Sequence, residues 1–193
     1  MIRSRSTTTL LIVALTLVSG LWARASAPPA ADAGPDATRV ARGAYLVTLA
    51  GCHDCHTPWK LGERGPEPDM TRRLSGHPEA LQMPPAPALP PGPWVASFAA
   101  TNTAWAGPWG VSFTANLTPD PETGLGDWTF EQFVQALRTG RHQGKGRPIL
   151  PPMPYFNFAQ ATDEDLASIF AYLRSVPPVR NRVPQPIDPP ELP

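Results

Sequence analysis

Cys52-His53-Asp54-Cys55-His56 contains both cysteines of the chain, and its reading decides the rest. Two thiols three positions apart share one side of a helical turn, and a histidine directly follows the second. This is the attachment signature of a c-type haem: each thiol can add to a vinyl group of the porphyrin, and the histidine then stands beneath the iron. Cys52 and Cys55 are therefore read as thioether attachment points for one haem c. His56 is read as the proximal iron ligand through Nε2, and His53 as an exposed spacer.

Two other chemistries share these five letters. A thioredoxin-like redox pair opens a helix after a buried strand, whereas Val47-Thr48-Leu49-Ala50 ends a helical pattern. Structural zinc needs a second ligand pair at finger-like spacing, and His53, His56, His77 and His142 provide none.

The start of the chain agrees with haem attachment. Arg3 and Arg5 precede a largely apolar run over residues 7–23, and Ala23-Arg24-Ala25 has the small-x-small form of a cleavage site. Residues 1–25 thus read as a secretory signal peptide and the mature protein as periplasmic. Bacterial haem attachment takes place outside the cytoplasmic membrane, so export and the motif belong together. The alternative is a retained leader acting as an anchor, although the run is somewhat shorter than the ~20 residues of a typical span.

The chain has 16 basic and 16 acidic residues, and loss of Arg3, Arg5 and Arg24 with the leader leaves 13 basic ones. Such a balance implies neither nucleic acid nor an anionic membrane surface as partner. Twenty-seven prolines and 15 glycines require that turns and extended loops make up much of the protein. A bound haem would supply apolar core that such a chain otherwise lacks.

Residues 26–35 are rich in Ala and Pro and read as a flexible spacer before a domain over residues 36–184. Asp36 is placed to cap a helix in which Val40, Ala44 and Val47 recur at helical spacing, and Gly51 ends it before the haem motif. Gly43 in mid-helix costs on the order of 1 kcal/mol against alanine and marks close approach by another element. Residues 57–110 form a Pro/Trp-rich insertion in which Trp59, Trp94, Phe98, Trp105 and Trp109 follow no period. Their apolar surface argues for an ordered loop wrapped over the haem domain.

Val111 to Phe113 is short and extended, and Asn116 to Asp120 is a turn. A carbonyl between Ala115 and Leu117 is the candidate acceptor for the Nδ1 proton of His56. Thr129 and Gln132 form a capping box for a helix with Phe130, Phe133, Val134 and Leu137 on its apolar face and Gly140 past its end. Thr162 caps the last helix, with Asp163, Glu164 and Asp165 at the positive end of its dipole and an apolar face of Leu166, Ile169, Phe170 and Leu173. Residues 185–193 are a proline-rich tail.

The second chemical feature is Pro148-Ile149-Leu150-Pro151-Pro152-Met153-Pro154-Tyr155-Phe156. A thioether is a weak, soft ligand that holds a sixth iron position only where its loop is restrained, as prolines at 151, 152 and 154 would do. Met153 is the candidate distal ligand; Met83, His77, His142 and an open site are the alternatives. Arg138, Arg141, Lys145 and Arg147 read as a solvated basic patch, near the haem propionates or facing an acidic partner.

Three stretches carry a family resemblance: Thr114-Ala-Asn-Leu-Thr-Pro-Asp-Pro-Glu-Thr-Gly-Leu-Gly-Asp-Trp-Thr, Leu150-Pro-Pro-Met-Pro-Tyr, and Thr162 to Val179. With Cys-x-x-Cys-His they resemble monohaem class I c-type cytochromes, and more narrowly the exported cytochromes c related to cytochrome subunits of bacterial membrane-bound dehydrogenases. The resemblance implies an all-α, cytochrome c-like fold of about three main helices around one haem. It implies that the first and last helices cross, with Gly43 and Tyr45 meeting the face of Leu166, Phe170 or Tyr172, and that His56 and Met153 ligate the iron. Those dehydrogenase subunits carry several haem motifs and this chain carries one.

The function expected from this reading is one-electron transfer by Fe(II)/Fe(III) cycling in the periplasm, without catalysis and with no substrate at the iron. Donor and acceptor would be redox proteins, a membrane-bound dehydrogenase or oxidase among them. The competing classes are a haem peroxidase or small-ligand sensor with an open sixth site, and a cytochrome subunit of a membrane-associated complex.

Overall fold

A computed structural model describes residues 36–189, so the expected leader and spacer lie outside the described residues. Asp36 opens helix α1, Ala37–Leu49, its carboxylate accepting the Thr38 amide at 3.0 Å. The buried residues of α1, Gly43 and Val47, are one turn apart and face the closing helix α5, Asp163–Ser175. A Cβ at position 43 would overlap the Ser168 carbonyl and stand 2.7 Å from the Tyr172 Cβ. Glycine is what lets the two backbones meet.

Tyr45 does not share that contact. It lies two residues on, about 200° around the helix, and is exposed, with the Arg42 guanidinium 5.7 Å from its ring centroid.

Helix α2, Cys52–His56, follows α1 after Gly51, whose left-handed conformation (φ 66°) turns the chain. Helix α3, Phe130–Thr139, has the full capping box: the Gln132 amide donates to Thr129 Oγ1 at 3.1 Å and the Thr129 amide to Gln132 Oε1 at 2.9 Å. Gly140 ends it at φ 65°. Phe133, Ala136 and Leu137 are its buried face, while Phe130 lies half out against Phe170, with ring centroids 5.9 Å apart. The single turn α4, Tyr155–Phe158, precedes α5, which Thr162 caps by accepting the Asp165 amide at 3.1 Å. Val47, Leu125, Phe133, Leu137, Leu166, Ile169 and Leu173 form one core, and Cys52 and Met153 pack against its edge.

The all-α expectation needs correction, because the insertion and the strand directly after it form two antiparallel sheets. Strand β1, Trp59–Gly62, pairs with β2, Gly65–Pro68, and β3, Ser97–Phe98, β4, Ala104–Gly107, and β5, Gly110–Phe113, form a second sheet in that order. Strands of two to four residues are too short to display an alternating period. Proline is tolerated in β2 because a two-stranded ribbon is all edge. Within the insertion Leu74, Ser75, His77 and Thr103 are completely buried. The tail also joins the fold, since Ile187 and Val111 exchange backbone hydrogen bonds at 2.8 and 2.9 Å.

Candidate haem site

On the single turn of α2, Cys52 and Cys55 are half-buried free thiols on the wall of one cavity. Burial pushes the Cys52 thiol up to about 11, and burial likewise raises Cys55. A redox-active Cys-x-x-Cys needs the opposite, a stabilised thiolate. His53 is not an exposed spacer: it is half-buried, and its Nδ1 lies 3.0 Å from the Thr57 hydroxyl.

His56 Nδ1 stands 2.8 Å from the Ala115 carbonyl, inside the span the sequence suggested. A carbonyl can only accept, so Nδ1 carries the proton and Nε2 keeps its lone pair. Burial, chiefly, holds the imidazole below its ordinary pKa, which favours the neutral, ligating form. Three backbone bonds fix the acceptor: Gly76 N–H to the His56 carbonyl at 2.8 Å, His77 N–H to Thr114 at 2.9 Å, and Leu117 N–H to Leu74 at 2.8 Å. The segment 74–77, contributed by the insertion, therefore sits between the histidine and its acceptor as a spacer.

The cavity has a volume of about 550 Å³, in the range of cofactor pockets. Cys52, Cys55, His56 and Met153 all line it, and its apolar floor is Leu125, Phe133, Leu137, Ile169 and Leu173. Downstream of Met153 the chain is tied to α3, because the Arg138 guanidinium donates to the carbonyls of Ala159 and, at 2.8 Å, Ala161, and to Asp163 at 2.8 Å. Of the distal alternatives, two lie away from the cavity and one lines it. His77 is buried elsewhere with both ring nitrogens engaged, Nδ1 2.9 Å from Thr103 Oγ1 and Nε2 3.1 Å from the Leu81 carbonyl. Met83 is not among the lining residues, whereas His142 is, edge-on to Trp128 at 4.9 Å.

Comparison with curated proteins supplies the relationship. The chain is 32% identical over 152 residues to the cytochrome c subunit of a quinone alcohol dehydrogenase from Gluconobacter oxydans, covering 77% of this chain and 24% of that one. It is 29% identical over 157 residues to the fructose dehydrogenase cytochrome subunit of Gluconobacter japonicus, covering 81% and 25%. Over 73 residues it is 38% identical to the gluconate 2-dehydrogenase cytochrome c subunit of Pantoea cypripedii, covering 37% and 16%. The chain is related to the cytochrome c subunits of bacterial dehydrogenases. No family model matches it. The chain spans about a quarter or less of the length of those relatives.

The relatives imply haem c, and the cavity of this chain fits one. Its donor set is two thiols, a neutral imidazole and a thioether around an apolar floor. In the same wall the buried Thr114 hydroxyl has no protein partner among the described residues. Arg147 and Arg182 also line the cavity, and Arg147 is the one member of the basic patch singled out in the sequence that does so. Sequence reasoning missed the tail: Val183 to Pro186 close one side of the cavity. Nothing in a run of prolines and polar residues indicates where it folds back. No helix among the described residues is long and apolar enough to cross a membrane.

Proposed function

We propose that this chain is a periplasmic one-electron carrier with a single haem c attached at Cys52 and Cys55 and ligated by His56 and Met153. The observation that carries the reading is the convergence of these four side chains on one cavity, with His56 already oriented by the Ala115 carbonyl. A haem held there would supply the Fe(II)/Fe(III) couple. The two thiols anchor it, Ala115 holds the imidazole in the Nδ1–H tautomer, and the packed Met153 loop closes the sixth position to substrate. No acid, base or nucleophile is required.

A visible spectrum in both redox states, on protein expressed with haem maturation machinery, tests the reading. The expected result is a low-spin c-type spectrum with a weak far-red sulfur-to-iron absorption in the oxidised form, and no carbon monoxide adduct of the reduced form. A high-spin spectrum with ready carbon monoxide binding would favour a peroxidase or sensor instead. Covalent pigment surviving in the Cys52→Ser/Cys55→Ser variant would remove the attachment sites.

The relatives' names favour a donor of the dehydrogenase class, with this chain as its separate cytochrome or as one subunit of such a complex. Co-purification of the native protein with a dehydrogenase, against purification alone, separates these two arrangements.

A further inference from the structure

Ser112 and Ala115, three residues apart at the end of β5, touch the two segments that carry the proposed ligands. Ala115 accepts His56 Nδ1, and Ser112 donates its hydroxyl to the Pro151 carbonyl at 2.6 Å. Ser112 is 8% exposed, and it and Pro151 both line the cavity. Another carbonyl, that of Trp105, stands 3.4 Å from the same oxygen. One hydroxyl has one proton, so the shorter contact takes it. The hydroxyl is presented from a fixed frame, because β5 pairs with β4 on one edge and with Ile187 of the tail on the other.

The loop at the other end of this bond has few donors of its own. Of residues 151–154 only Met153 has a backbone N–H, since the other three are prolines. Restraint of a weak thioether ligand then comes through the loop's carbonyls: those of Met153 and Pro154 accept the Tyr155 and Asn157 amides at 2.9 and 3.0 Å from the turn that follows, which leaves the Pro151 carbonyl to a donor from elsewhere. Ser112 supplies such a donor two residues before the sulfur.

We propose that Ser112 is a positioning residue for the sixth ligand, its hydroxyl pinning the Pro151–Met153 loop so that the thioether holds its place against competing ligands. The proposal rests on Met153 as distal ligand. It also gives the insertion a role: the sheet that the insertion begins ends, just past residue 110, in a four-residue segment that spans from the proximal histidine to the distal loop and holds both.

The test is imidazole titration of the oxidised, haem-loaded protein as wild type, Ser112→Ala, Ser112→Thr, Met153→Ala and Val134→Ala. Val134 is a partly buried core-edge residue of α3 that does not line the cavity, and it serves as the stability control. Loss of one buried hydrogen bond from the closed loop should raise the apparent imidazole affinity of Ser112→Ala about tenfold. Ser112→Thr, which keeps the hydroxyl, should bind as wild type does. Val134→Ala should be less stable in urea with unchanged affinity. Unchanged affinity in Ser112→Ala, with the far-red band present in wild type and lost in Met153→Ala, overturns this proposal alone. An equal rise in Val134→Ala overturns it as well, by showing general loosening. A wild type without the far-red band, or a Met153→Ala protein that retains it, overturns the ligand assignment and the proposal together.

Discussion

Gly43 of α1 rests on the backbone of Ser168 of α5 with no room for a methyl group between them. Alanine at position 43 would set two effects against each other. In a free helix it is preferred by about 1 kcal/mol. Here its Cβ would overlap a carbonyl that cannot rotate aside, and overpacking of this kind costs about 1–3 kcal/mol or more. Gly43→Ala should therefore lower the urea midpoint of unfolding, and a midpoint equal to or above wild type would show that the helices can part without cost.

Gly76 is placed to test the histidine's orientation, because the acceptor is a backbone carbonyl that no side-chain change removes. Its φ is +75°, and a Cβ there would lie 2.6 Å from the Ala115 carbonyl carbon and 2.7 Å from the oxygen. Gly76→Ala displaces that carbonyl and weakens its bond to His56 Nδ1. A less electron-rich imidazole favours the reduced iron in the proposed ligation, so the reduction potential should rise, together with a stability loss of about 1–3 kcal/mol. A redox titration reads the first and urea unfolding the second. A destabilised variant with an unchanged potential would separate Ala115 from the tuning of the haem.

These two glycines also show what is legible in the sequence. Gly43 is readable because a glycine in mid-helix conflicts with local propensity and so implies a contact. Gly51, Gly140 and the caps Asp36, Thr129 and Thr162 are readable because helix ends need specific chemistry within three or four residues. The acceptor at Ala115 falls at the edge of the stretch from Ala115 to Leu117 named from the sequence, where only the presence of a turn, and not its contact with the motif, can be read. The sheets are not readable: strands of two to four residues carry no period, and their pairings, such as Ser97 with Ala106, are set by tertiary context. The same holds for the Ser112 hydroxyl, whose partner lies 39 residues away.

His77 gives the domain a pH dependence of predictable sign. It is fully buried against Phe113, its ring centroid 4.8 Å away, and neutral it is satisfied: Nε2–H donates to Leu81 and Nδ1 accepts from Thr103. Burial, outweighing the opposing pull of the Leu81 carbonyl, holds its pKa below the ordinary 6.5. The unfolded chain then takes up the proton first as the pH falls. The contribution of His77 is complete above about pH 6.5 and declines between the unfolded and folded values. His77→Gln keeps an amide for both partners and should flatten the loss of stability from about pH 7 to about pH 5. Parallel pH profiles for the two proteins would assign the acid sensitivity to other groups.

Asn181 ties the end of the chain to the insertion. Its Nδ2 donates to the carbonyls of Ser75 at 2.7 Å and His77 at 2.8 Å, and its Oδ1 accepts the Glu79 amide at 2.8 Å. The residue is 2% exposed, so water cannot take over these bonds. Asn181→Ala leaves two carbonyls and an amide without partners, at about 1–3 kcal/mol for each unpaired buried group before relaxation. Some relaxation is certain, which places the expected loss at about 2–4 kcal/mol. The exposed Arg39–Glu164 pair, 3.2 Å apart, is the contrast, and Arg39→Ala should cost no more than about 1 kcal/mol. Urea unfolding of both variants measures the difference. Should Asn181→Ala lose no more than Arg39→Ala, the spacer segment 74–77 is held by its own backbone bonds.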